Sequence, residues 1–281
     1  MGSHDSALTA CRTMARSHRS RERLMRPAAF VALFATASAF FGFACAAGTQ
    51  GPDVSSVSAA RSVVFKVADV NALRLFLRDK DGKPYGSLEA VRSVVASSGH
   101  KVLFAMNAGM YEADRTPTGL LVQDGKQLSA LNVQTRPQGK QTPNFYLSPN
   151  GVFAVGSSGP VIMSTLEFAR SPPEHLSLAT QSGPVLLAGG TIVSKAVATG
   201  SDEQQLRNRR NGICVNGKAA VLVEVDAMTL HQFAVYLRDD LRCINALYMD
   251  GGVSSVYDAR TGRSDPVAAG NPLGPIIASI E

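Results

Sequence analysis

Four segments of the sequence place polar side chains directly after apolar stretches, and these segments hold the candidates for chemistry. They are "FAMNAGMYEADRTPTG", "LATQSGP", "LRNRRNGIC" and "ALYMDGGVSS". A buried strand fixes the backbone at its end, while the loop that follows leaves its side chains free to face a cleft. The four segments therefore predict where catalytic and ligand-binding groups lie.

The segment "ALYMDGGVSS" carries one acid, Asp250, between an apolar run and two glycines. Gly251 and Gly252 permit positive φ angles and leave N–H groups open, as in anion-binding nests. Ser254 and Ser255 add hydroxyl donors. Turn formation alone would explain the Asp-Gly pair, but the complete pattern indicates a carboxylate that is presented to a substrate.

The first two segments offer an amide, an acid and a hydroxyl. Asn107 ends an apolar run, where a carboxamide is either hydrogen-bonded in the core or offered to a ligand. Glu112 follows in a charged loop that also carries Arg115, and solvated turn residues are the alternative interpretation there. Ser182 and Gly183 supply a hydroxyl and free N–H groups at a tight turn, although the G-x-S-x-G frame of a serine nucleophile is absent.

Arginines dominate the segment "LRNRRNGIC". Arg209 and Arg210 precede Asn211, at the point where an apolar strand begins. A guanidinium group can bind a phosphate or carboxylate through two parallel hydrogen bonds. The segment therefore predicts an anion-binding site, with ordinary solvated surface arginines as the alternative.

Local patterns predict a β-rich domain around these segments. The runs "SVVFKVAD" and "LRLFLRD" are expected to form paired strands. Turn signals between apolar runs predict three hairpins, at Asp124-Gly125, Asn150-Gly151 and Asn216-Gly217. We expect one α+β domain over residues 61–281, with a largely antiparallel centre flanked by a few helices.

Two helices are indicated by apolar spacing and by capping residues. The first lies in "GSLEAVRSVVASSG" and is expected to end at Gly99. The second lies in "TLHQFAVYLRDDL", where Thr229 and Gln232 have the spacing of a capping box. The strand "ALYM" follows this helix and leads to Asp250.

The composition is that of a globular protein, and its charge is unevenly distributed. The chain has 281 residues, 45% of them hydrophobic and 18% charged, and a formal net charge of +6. The first fifty residues contain six arginines and two acids, so four of the six net charges lie there. The remainder lacks the basic stripe of nucleic-acid binders, and we expect no nucleic-acid partner.

The N-terminal residues resemble a secretory leader. Arginines precede the apolar block "PAAFVALFATASAFFGFACAA", and Ala44-Cys45-Ala46 fits a signal-peptidase site. We expect residues 1–46 to be removed, residues 47–60 to form a flexible linker, and the protein to be periplasmic or secreted in a bacterium. An uncleaved leader is the alternative, and it is the only membrane attachment that the sequence suggests.

After such cleavage two cysteines would remain, Cys214 and Cys243. In an oxidising compartment they would form a disulfide or stay as two buried thiols, since only geometry decides. The sequence shows no H-x-H or H-E-x-x-H motif. We therefore expect no bound metal and no cofactor.

Taken together and in order, the motifs resemble the phosphodiester glycosidase family, and most closely an exported bacterial branch of it. The resemblance runs from about Val63 to the C-terminus. It is carried by "FAMNAGMY", "PTGLLVQDGK", "NFYLSPNGVF", "ATQSGPVLL", "RRNGICV" and "ALYMDGGVSS". The last motif resembles the family's Asp-Gly-Gly-Gly-Ser-Ser element, with Val253 in place of the third glycine.

The resemblance implies hydrolysis of a glycosyl phosphodiester between the anomeric carbon and the phosphate oxygen, on a glycan or sugar-phosphate substrate. In this hypothesis Asp250 is the nucleophile or general base, and Glu224 is a reserve second carboxylate. Arg210 would bind the phosphate, with Arg209 as its substitute, and Asn107 would bind sugar or phosphate oxygens. The other expected substrate-binding residues are Glu112, Ser182, Gly183, Asn211, Gly251, Gly252, Ser254 and Ser255.

Two other classes of protein remain open on the sequence alone. A non-catalytic module that binds carbohydrate or phosphoglycan in the cell envelope is favoured by Val253, which departs from the family pattern. A metal-dependent phosphoesterase is disfavoured because Asp250 has few candidate co-ligands in the sequence.

Overall fold

The fold is described by a computed structural model that covers residues 61–200, 206–266 and 271–281. The predicted leader and linker lie outside the described residues. The described strands are β1 (Ser62–Lys66), β2 (Leu73–Phe76), β3 (Val102–Asn107), β4 (Leu121–Gln123), β5 (Lys126–Ser129), β6 (Gly151–Gly156), β7 (Gly159–Ser164), β8 (Leu178–Ser182), β9 (Val185–Ala188), β10 (Thr191–Ile192), β11 (Asn208–Asn216), β12 (Ala219–Met228), β13 (Asn245–Tyr248), β14 (Val256–Asp258), β15 (Arg263–Ser264) and β16 (Ile276–Ile280). The described helices are α1 (Leu88–Ser97), α2 (Thr165–Arg170), α3 (Lys195–Thr199) and α4 (Leu230–Asp239).

The strands form three sheets. The large sheet has the order β1-β12-β11-β13-β9-β10, the second sheet β15-β14-β3-β16-β2 and the third sheet β5-β4-β8-β6-β7. Every ladder between described strands is antiparallel. The prediction of an α+β domain with an antiparallel centre is confirmed.

One apolar core is shared by all three sheets. It contains Phe65 and Ile213 from the large sheet, Phe104 from the second, and Leu121 and Phe153 from the third, all of them buried. Side chains alternate between the two faces of a strand, so the neighbours of these residues point away from the shared core. The ends of strands from three different sheets are thereby brought to one region of the molecule.

Helices cover the outer faces of the sheets. Helix α4 buries Phe233 and Leu237 against the large sheet, and α1 buries Leu88 and Val91 against the second sheet. Helix α2 contributes Phe168 to a cluster on the third sheet. In the described ranges, none of these helices is long and apolar enough to cross a membrane.

Both predicted helices are confirmed, as are the end of the first at Gly99 and the capping box of the second. The Ser87 hydroxyl accepts a hydrogen bond from the N–H of Ala90 at the start of α1, and Gly99 just past its end has φ +82°. Thr229 and Gln232 form the reciprocal capping box that begins α4. These contacts are local, which is why the sequence predicts them well.

Two of the three predicted hairpins are confirmed, and one is wrong. The turn at Asp124-Gly125 joins β4 to β5, and Gly217 lies in the turn between β11 and β12. Asn150-Gly151 is no hairpin turn, because β6 begins at Gly151 and its hairpin partner β7 follows it. A Cβ at position 151 would lie 2.5 Å from Cγ2 of Val185, so glycine is needed there for close packing.

The predicted pairing of the first two strands is also wrong. Strand β1 pairs with β12 in the large sheet, while β2 pairs with β16 in the second sheet. Both strands send alternate apolar side chains, including Phe65 and Leu75, into the shared core. Their apolar patterns are correct for strands, but the partner of each is set by the packing of three sheets and lies far along the chain.

Cys214 and Cys243 form a disulfide, with their Cα atoms 5.7 Å apart. The bond closes a segment of 29 residues and fastens β11 to the turn that leads from α4 to β13. Replacing both cysteines by Ala is expected to lower the free energy of unfolding by about 3 to 4 kcal/mol, because the unfolded chain regains the entropy of an open loop.

Urea-induced unfolding of the wild type and of the Cys214→Ala/Cys243→Ala variant would measure this change. A difference below about 1 kcal/mol would show that the bond constrains the unfolded chain far less than loop closure predicts.

Candidate active site

The four predicted segments meet where the three sheets come together. Asn107 ends β3 of the second sheet, Ser182 ends β8 of the third, and Asp250 follows β13 of the large sheet. Backbone hydrogen bonds join these ends: the N–H of Met249 donates to the carbonyl of Asn211, and the N–H of Tyr248 donates to that of Pro184. The structure thus brings together segments with contacts between residues up to 148 positions apart in the chain.

Asn107 is the centre of this junction. Its side chain is fully buried, and its Nδ2 donates to the backbone carbonyl of Asp250. Its Oδ1 accepts from the N–H of Ser255 and from Nδ2 of Asn211, both at 3.1 Å. Of the two interpretations that the sequence allowed for this amide, the structure shows the core hydrogen-bonded one. Asn107 holds both ends of the loop from Asp250 to Ser255.

Asn211 completes this arrangement from β11. Its Nδ2 also donates to the backbone carbonyl of Asn107, at 3.0 Å. Its Oδ1 is buried and has no protein partner. The amide is therefore a positioning contact for Asn107 that still has one unused acceptor.

Asp250 carries the carboxylate of the site. The residue is partly exposed. Burial of the carboxyl group raises its pKa, a hydrogen bond from the backbone N–H of Gly252 lowers it in part, and the resulting pKa is about 6. Within the described ranges no arginine or lysine forms an ion pair with it. Asp250 is therefore a weakly solvated carboxyl group whose titration falls near neutral pH, which is common for catalytic acids and bases.

The two glycines after Asp250 form a short 3-10 turn with Val253. Neither glycine has a positive φ, so the expectation of left-handed glycines is wrong. Gly251 is needed for close approach instead, because a Cβ there would lie 2.6 Å from the carbonyl oxygen of Arg209 and would also meet the hydroxyl of Tyr248. At Gly252 the nearest atom to a Cβ is Oδ1 of Asp250, at 3.7 Å.

Val253 is partly buried and packs against the apolar cluster of Leu88, Val91 and Leu273. Val253, which departs from the family pattern, is therefore part of the apolar packing between α1 and the second sheet.

Arg210 is buried beneath the site. Its Nε donates to the carbonyl of Met228, its Nη2 to that of Leu206, and its Nη1 to the hydroxyl of Tyr248 at 3.1 Å. Burial raises the pKa of the Tyr248 hydroxyl, and the charge and hydrogen bond of Arg210 lower that pKa in part. All three guanidinium nitrogens of Arg210 have internal partners, and its role in phosphate binding stays a prediction.

Arg209 and Glu224 belong to a network of ion pairs below the loop. Arg209 contacts Asp226 at 3.0 Å and Asp265 at 3.1 Å, and its Nη1 donates to the carbonyl of Ser254. Glu224 is fully buried and pairs with Arg263 at 3.0 Å. Burial raises the pKa of the Glu224 carboxyl group, and the two arginines lower it in part.

The structure therefore places Glu224 in this network and gives it no contact with Asp250. The proposed reserve role of Glu224 and the alternative clamp role of Arg209 stay predictions. Arg263 and Asp265 were missed by sequence analysis, since "TGRSDP" follows no strong strand pattern and carries no motif.

The remaining predicted binding residues differ in accessibility. Ser182 is fully buried, and its Oγ has no protein partner. Gly183 packs so closely that a Cβ would lie 2.7 Å from the carbonyl oxygen of Phe145. Ser254 Oγ is buried without a partner, while Ser255 contributes its backbone N–H to the Asn107 contact. None of these groups is shown in contact with a ligand, so their binding roles stay predictions.

A short hairpin over residues 110–118 flanks Asp250. It is closed by the hydrogen bonds from Thr118 N–H to the Met110 carbonyl and from Glu112 N–H to the Thr116 carbonyl. Glu112 is exposed at its end. Tyr111 lies near the carboxylate: burial raises the pKa of its hydroxyl, and the negative charge of Asp250 raises it further. Sequence analysis missed Tyr111, which stands in an otherwise polar loop.

No group of three or more His, Cys, Asp or Glu side chains that could hold a metal ion occurs among the described residues.

Comparison with known proteins identifies relatives of the chain. The family model for phosphodiester glycosidases matches residues 100–278. An uncharacterised protein of Escherichia coli (strain K12), YigE, is 30% identical over 185 residues, which cover 66% of this chain and 69% of that protein. The catalytic domain of zebrafish N-acetylglucosamine-1-phosphodiester alpha-N-acetylglucosaminidase, auto-inhibited by its pro-peptide, is similar in fold with a TM-score of 0.53 at 14% identity. That similarity covers 78% of this chain and 83% of the zebrafish chain.

Proposed function

The chain belongs to the phosphodiester glycosidase family, and on that premise we propose that it hydrolyses glycosyl phosphodiesters by breaking the bond between the anomeric carbon and the phosphate oxygen. Membership of the family supports a hydrolase of the glycosidase type. The observation that carries the finer proposal is Asp250, a partly exposed carboxylate with a pKa raised to about 6 at the junction of three sheets.

In the proposed reaction Asp250 acts on the anomeric carbon, either by attacking it directly or by taking a proton from the attacking water. The C1–O bond breaks, and the oxygen leaves with the phosphate. After direct attack, water then hydrolyses the bond between Asp250 and the anomeric carbon and releases the sugar. The phosphate monoester that leaves is a stable anion, so the leaving group needs little protonation by a general acid. What the site must supply is a positioned carboxylate and hydrogen-bond donors for the negative charge that leaves.

The frame around Asp250 suits this task. Asn107 holds the backbone of Asp250, and Gly251 lets the turn approach Tyr248 and Arg209 closely. A carboxylate on such a fixed turn loses little orientational freedom when a substrate binds. We propose that Asn107 and Asn211 act by positioning Asp250, which revises the ligand-binding role that the sequence suggested for them.

Hydrolysis of a defined substrate in water labelled with oxygen-18 would test the proposal. A suitable substrate is the methyl phosphodiester of N-acetyl-α-glucosamine 1-phosphate, within a panel of other sugar 1-phosphodiesters. Cleavage at the C1–O bond puts the label in the sugar, and mass spectrometry would detect it there. Label in the phosphate would contradict the proposal and indicate a phosphoesterase. Binding of the panel without release of sugar would indicate a non-catalytic carbohydrate-binding module.

The pH dependence of the reaction follows from the pKa of Asp250. A nucleophile or general base must be ionised, so kcat/KM is expected to rise about tenfold per pH unit below an apparent pKa of about 6 and to level off above pH 7. Initial rates in buffers of constant ionic strength would measure this profile. If kcat/KM instead falls as the pH rises through 6, Asp250 acts as a general acid.

We also propose that the protein acts outside the cytoplasm. The arginine-rich leader with its Ala44-Cys45-Ala46 site supports this, as does the disulfide between Cys214 and Cys243, because such bonds persist in oxidising compartments. Mass spectrometry of protein from a periplasmic extract should find an N-terminus at Ala47. A full-length chain confined to the cytoplasm would refute the proposal.

A further inference from the structure

The hairpin beside Asp250 carries an arginine in an unusual position. Arg115 lies at the end of the 110–118 hairpin, where its N–H donates to the carbonyl of Glu112 and its φ is +70°. Few residues other than glycine adopt this left-handed conformation, and those that do are concentrated at functional sites.

Tyr111 links Arg115 to the catalytic carboxylate. The Arg115 guanidinium carbon lies 5.4 Å from the centroid of the Tyr111 ring, within the range of a cation–π contact. The ring itself is fixed, because it packs directly on Gly274, where a Cβ would have no room. The Tyr111 hydroxyl is influenced by charge from both sides: Asp250 raises its pKa and Arg115 lowers it. Arg115 therefore lies over a fixed aromatic ring whose hydroxyl also responds to the charge of Asp250.

The donors of Arg115 are largely unused. Its Nε is buried without a partner, and its Nη2 makes only a long contact of 3.4 Å, to Oδ1 of Asn271. Arg115 forms no ion pair with a carboxylate in the part of the chain that the structure describes. The nearest acid in sequence, Asp114, accepts instead from the N–H of Thr116.

This distinguishes Arg115 from the arginines of the "LRNRRNGIC" segment. Arg209 forms ion pairs with buried or partly buried acids, and all three nitrogens of Arg210 donate to internal acceptors. To bind a phosphate, either of them would have to give up internal contacts. Arg115 already has a desolvated donor with no contact to give up, and such a donor binds an anion strongly.

From these contacts we propose that Arg115 binds the non-bridging oxygens of the phosphate in the leaving group, with Tyr111 as the surface that positions its guanidinium. The inference rests on the proposed function, since it assigns the phosphate of that substrate to a named residue. It implies that the phosphate lies on the Tyr111 side of Asp250.

A comparison of two substrates tests this role. Arg115→Ala is expected to lower kcat/KM about 10- to 100-fold on the methyl phosphodiester of N-acetyl-α-glucosamine 1-phosphate, the range for loss of a charged hydrogen bond. On 4-nitrophenyl N-acetyl-α-glucosaminide, whose leaving group carries no phosphate, the same variant should lose less than about threefold. Arg115→Lys should recover part of the phosphodiester activity, because lysine keeps the positive charge. The recovery should be incomplete, because lysine lacks the two parallel N–H donors of a guanidinium group.

Arg92→Ala is the matched control. The guanidinium carbon of Arg92 lies 4.0 Å from the centroid of the Tyr257 ring, so Arg92 is also an arginine over a tyrosine. It belongs to α1 and lies near Val102 and Leu103 at the start of β3, whereas Asn107 is at the other end of that strand. Its removal should leave both activities unchanged. Equal losses of Arg115→Ala on the two substrates, or no loss on the phosphodiester, would overturn the proposal.

A binding experiment separates failure of this inference from failure of the proposed function. Calorimetric titration of the Asp250→Asn variant with N-acetyl-α-glucosamine 1-phosphate and with N-acetylglucosamine needs no turnover. Addition of Arg115→Ala should weaken binding of the phosphorylated sugar at least tenfold, and it should leave binding of the neutral sugar unchanged. If the wild type cleaves no phosphodiester but this difference is seen, the inference stands and the proposed function fails. Equal affinities with and without Arg115 would overturn the inference alone.

Discussion

Asp250→Asn is expected to lower kcat/KM on a glycosyl phosphodiester by about 10³-fold, the scale of a positioned nucleophile or base. The amide has nearly the shape of the carboxyl group but can neither attack the anomeric carbon nor accept a proton from water. Hydrolysis of the methyl phosphodiester of N-acetyl-α-glucosamine 1-phosphate, followed by mass spectrometry, would measure the loss.

The same variant should fold at least as stably as the wild type. The pKa of Asp250 is about 6 in the folded protein, above its value in the unfolded chain, so ionisation favours unfolding once the pH exceeds that unfolded value. The neutral amide removes this penalty at pH 7.5. Thermal unfolding at that pH should therefore give an equal or higher Tm. A clear fall in Tm alongside the loss of activity would mean that Asp250 is structural.

Asp124→Asn is the matched control for this experiment. Asp124 lies in the β4–β5 turn with φ +51°, a conformation that Asn tolerates as well as Asp does. The substitution is the same, but the residue lies outside the site, so activity should be unchanged.

Asn107→Ala is expected to impair stability and activity together. The truncation leaves the buried N–H of Ser255 and the carbonyl of Asp250 without their partner, and it removes one acceptor from Asn211. Buried groups that lose hydrogen bonds in this way should cost about 3 kcal/mol in total, which lowers Tm by about 6 to 12 °C in a domain of this size. Because the loop that carries Asp250 loses its hydrogen bonds to Asn107, the carboxylate is less well positioned and kcat should fall more than tenfold.

Calorimetric unfolding and steady-state kinetics would measure both effects. Asn245→Ala is the control, because Asn245 also belongs to a strand of the site, at the opposite end of β13, and accepts one exposed hydrogen bond from Gly189. It should lower Tm only slightly and leave kcat unchanged. If Asn107→Ala raised KM alone and kept its Tm, Asn107 would contact the substrate as the sequence first suggested.

The predictions that succeeded concern interactions between residues that are close in sequence. Gly99 ends α1, Thr229 and Gln232 begin α4, and Asp124-Gly125 turns β4 into β5. Each of these contacts is made within about four residues, so its partners are visible in a short stretch of sequence. The wrong prediction at Asn150-Gly151 shows the limit of this approach, since that glycine is required by a side chain of another strand, Val185.

The arginines illustrate what a sequence pattern leaves open. In the sequence, Arg209, Arg210 and Arg115 are all arginines that stand next to polar loop residues. Which of them keeps unused donors depends on the acceptors that other strands bring near, such as Glu224 and the carbonyl of Met228. The two acids Glu224 and Asp250 were separated in the same way, one into an ion-pair network and one into the partly exposed turn after β13.

The sequence by itself determined the antiparallel α+β class, the helices and their caps, and the strand that ends in Asp250, because each follows from side-chain periodicity and short-range hydrogen bonds. Only the tertiary structure decided that Asn107 is hydrogen-bonded to the backbone of Asp250, that Arg210 is held inside, and that Arg115 lies over the ring of Tyr111. The first two contacts depend on the meeting of strands that are distant in the chain. The burial that raises the pKa of Asp250 exists only after that packing has formed.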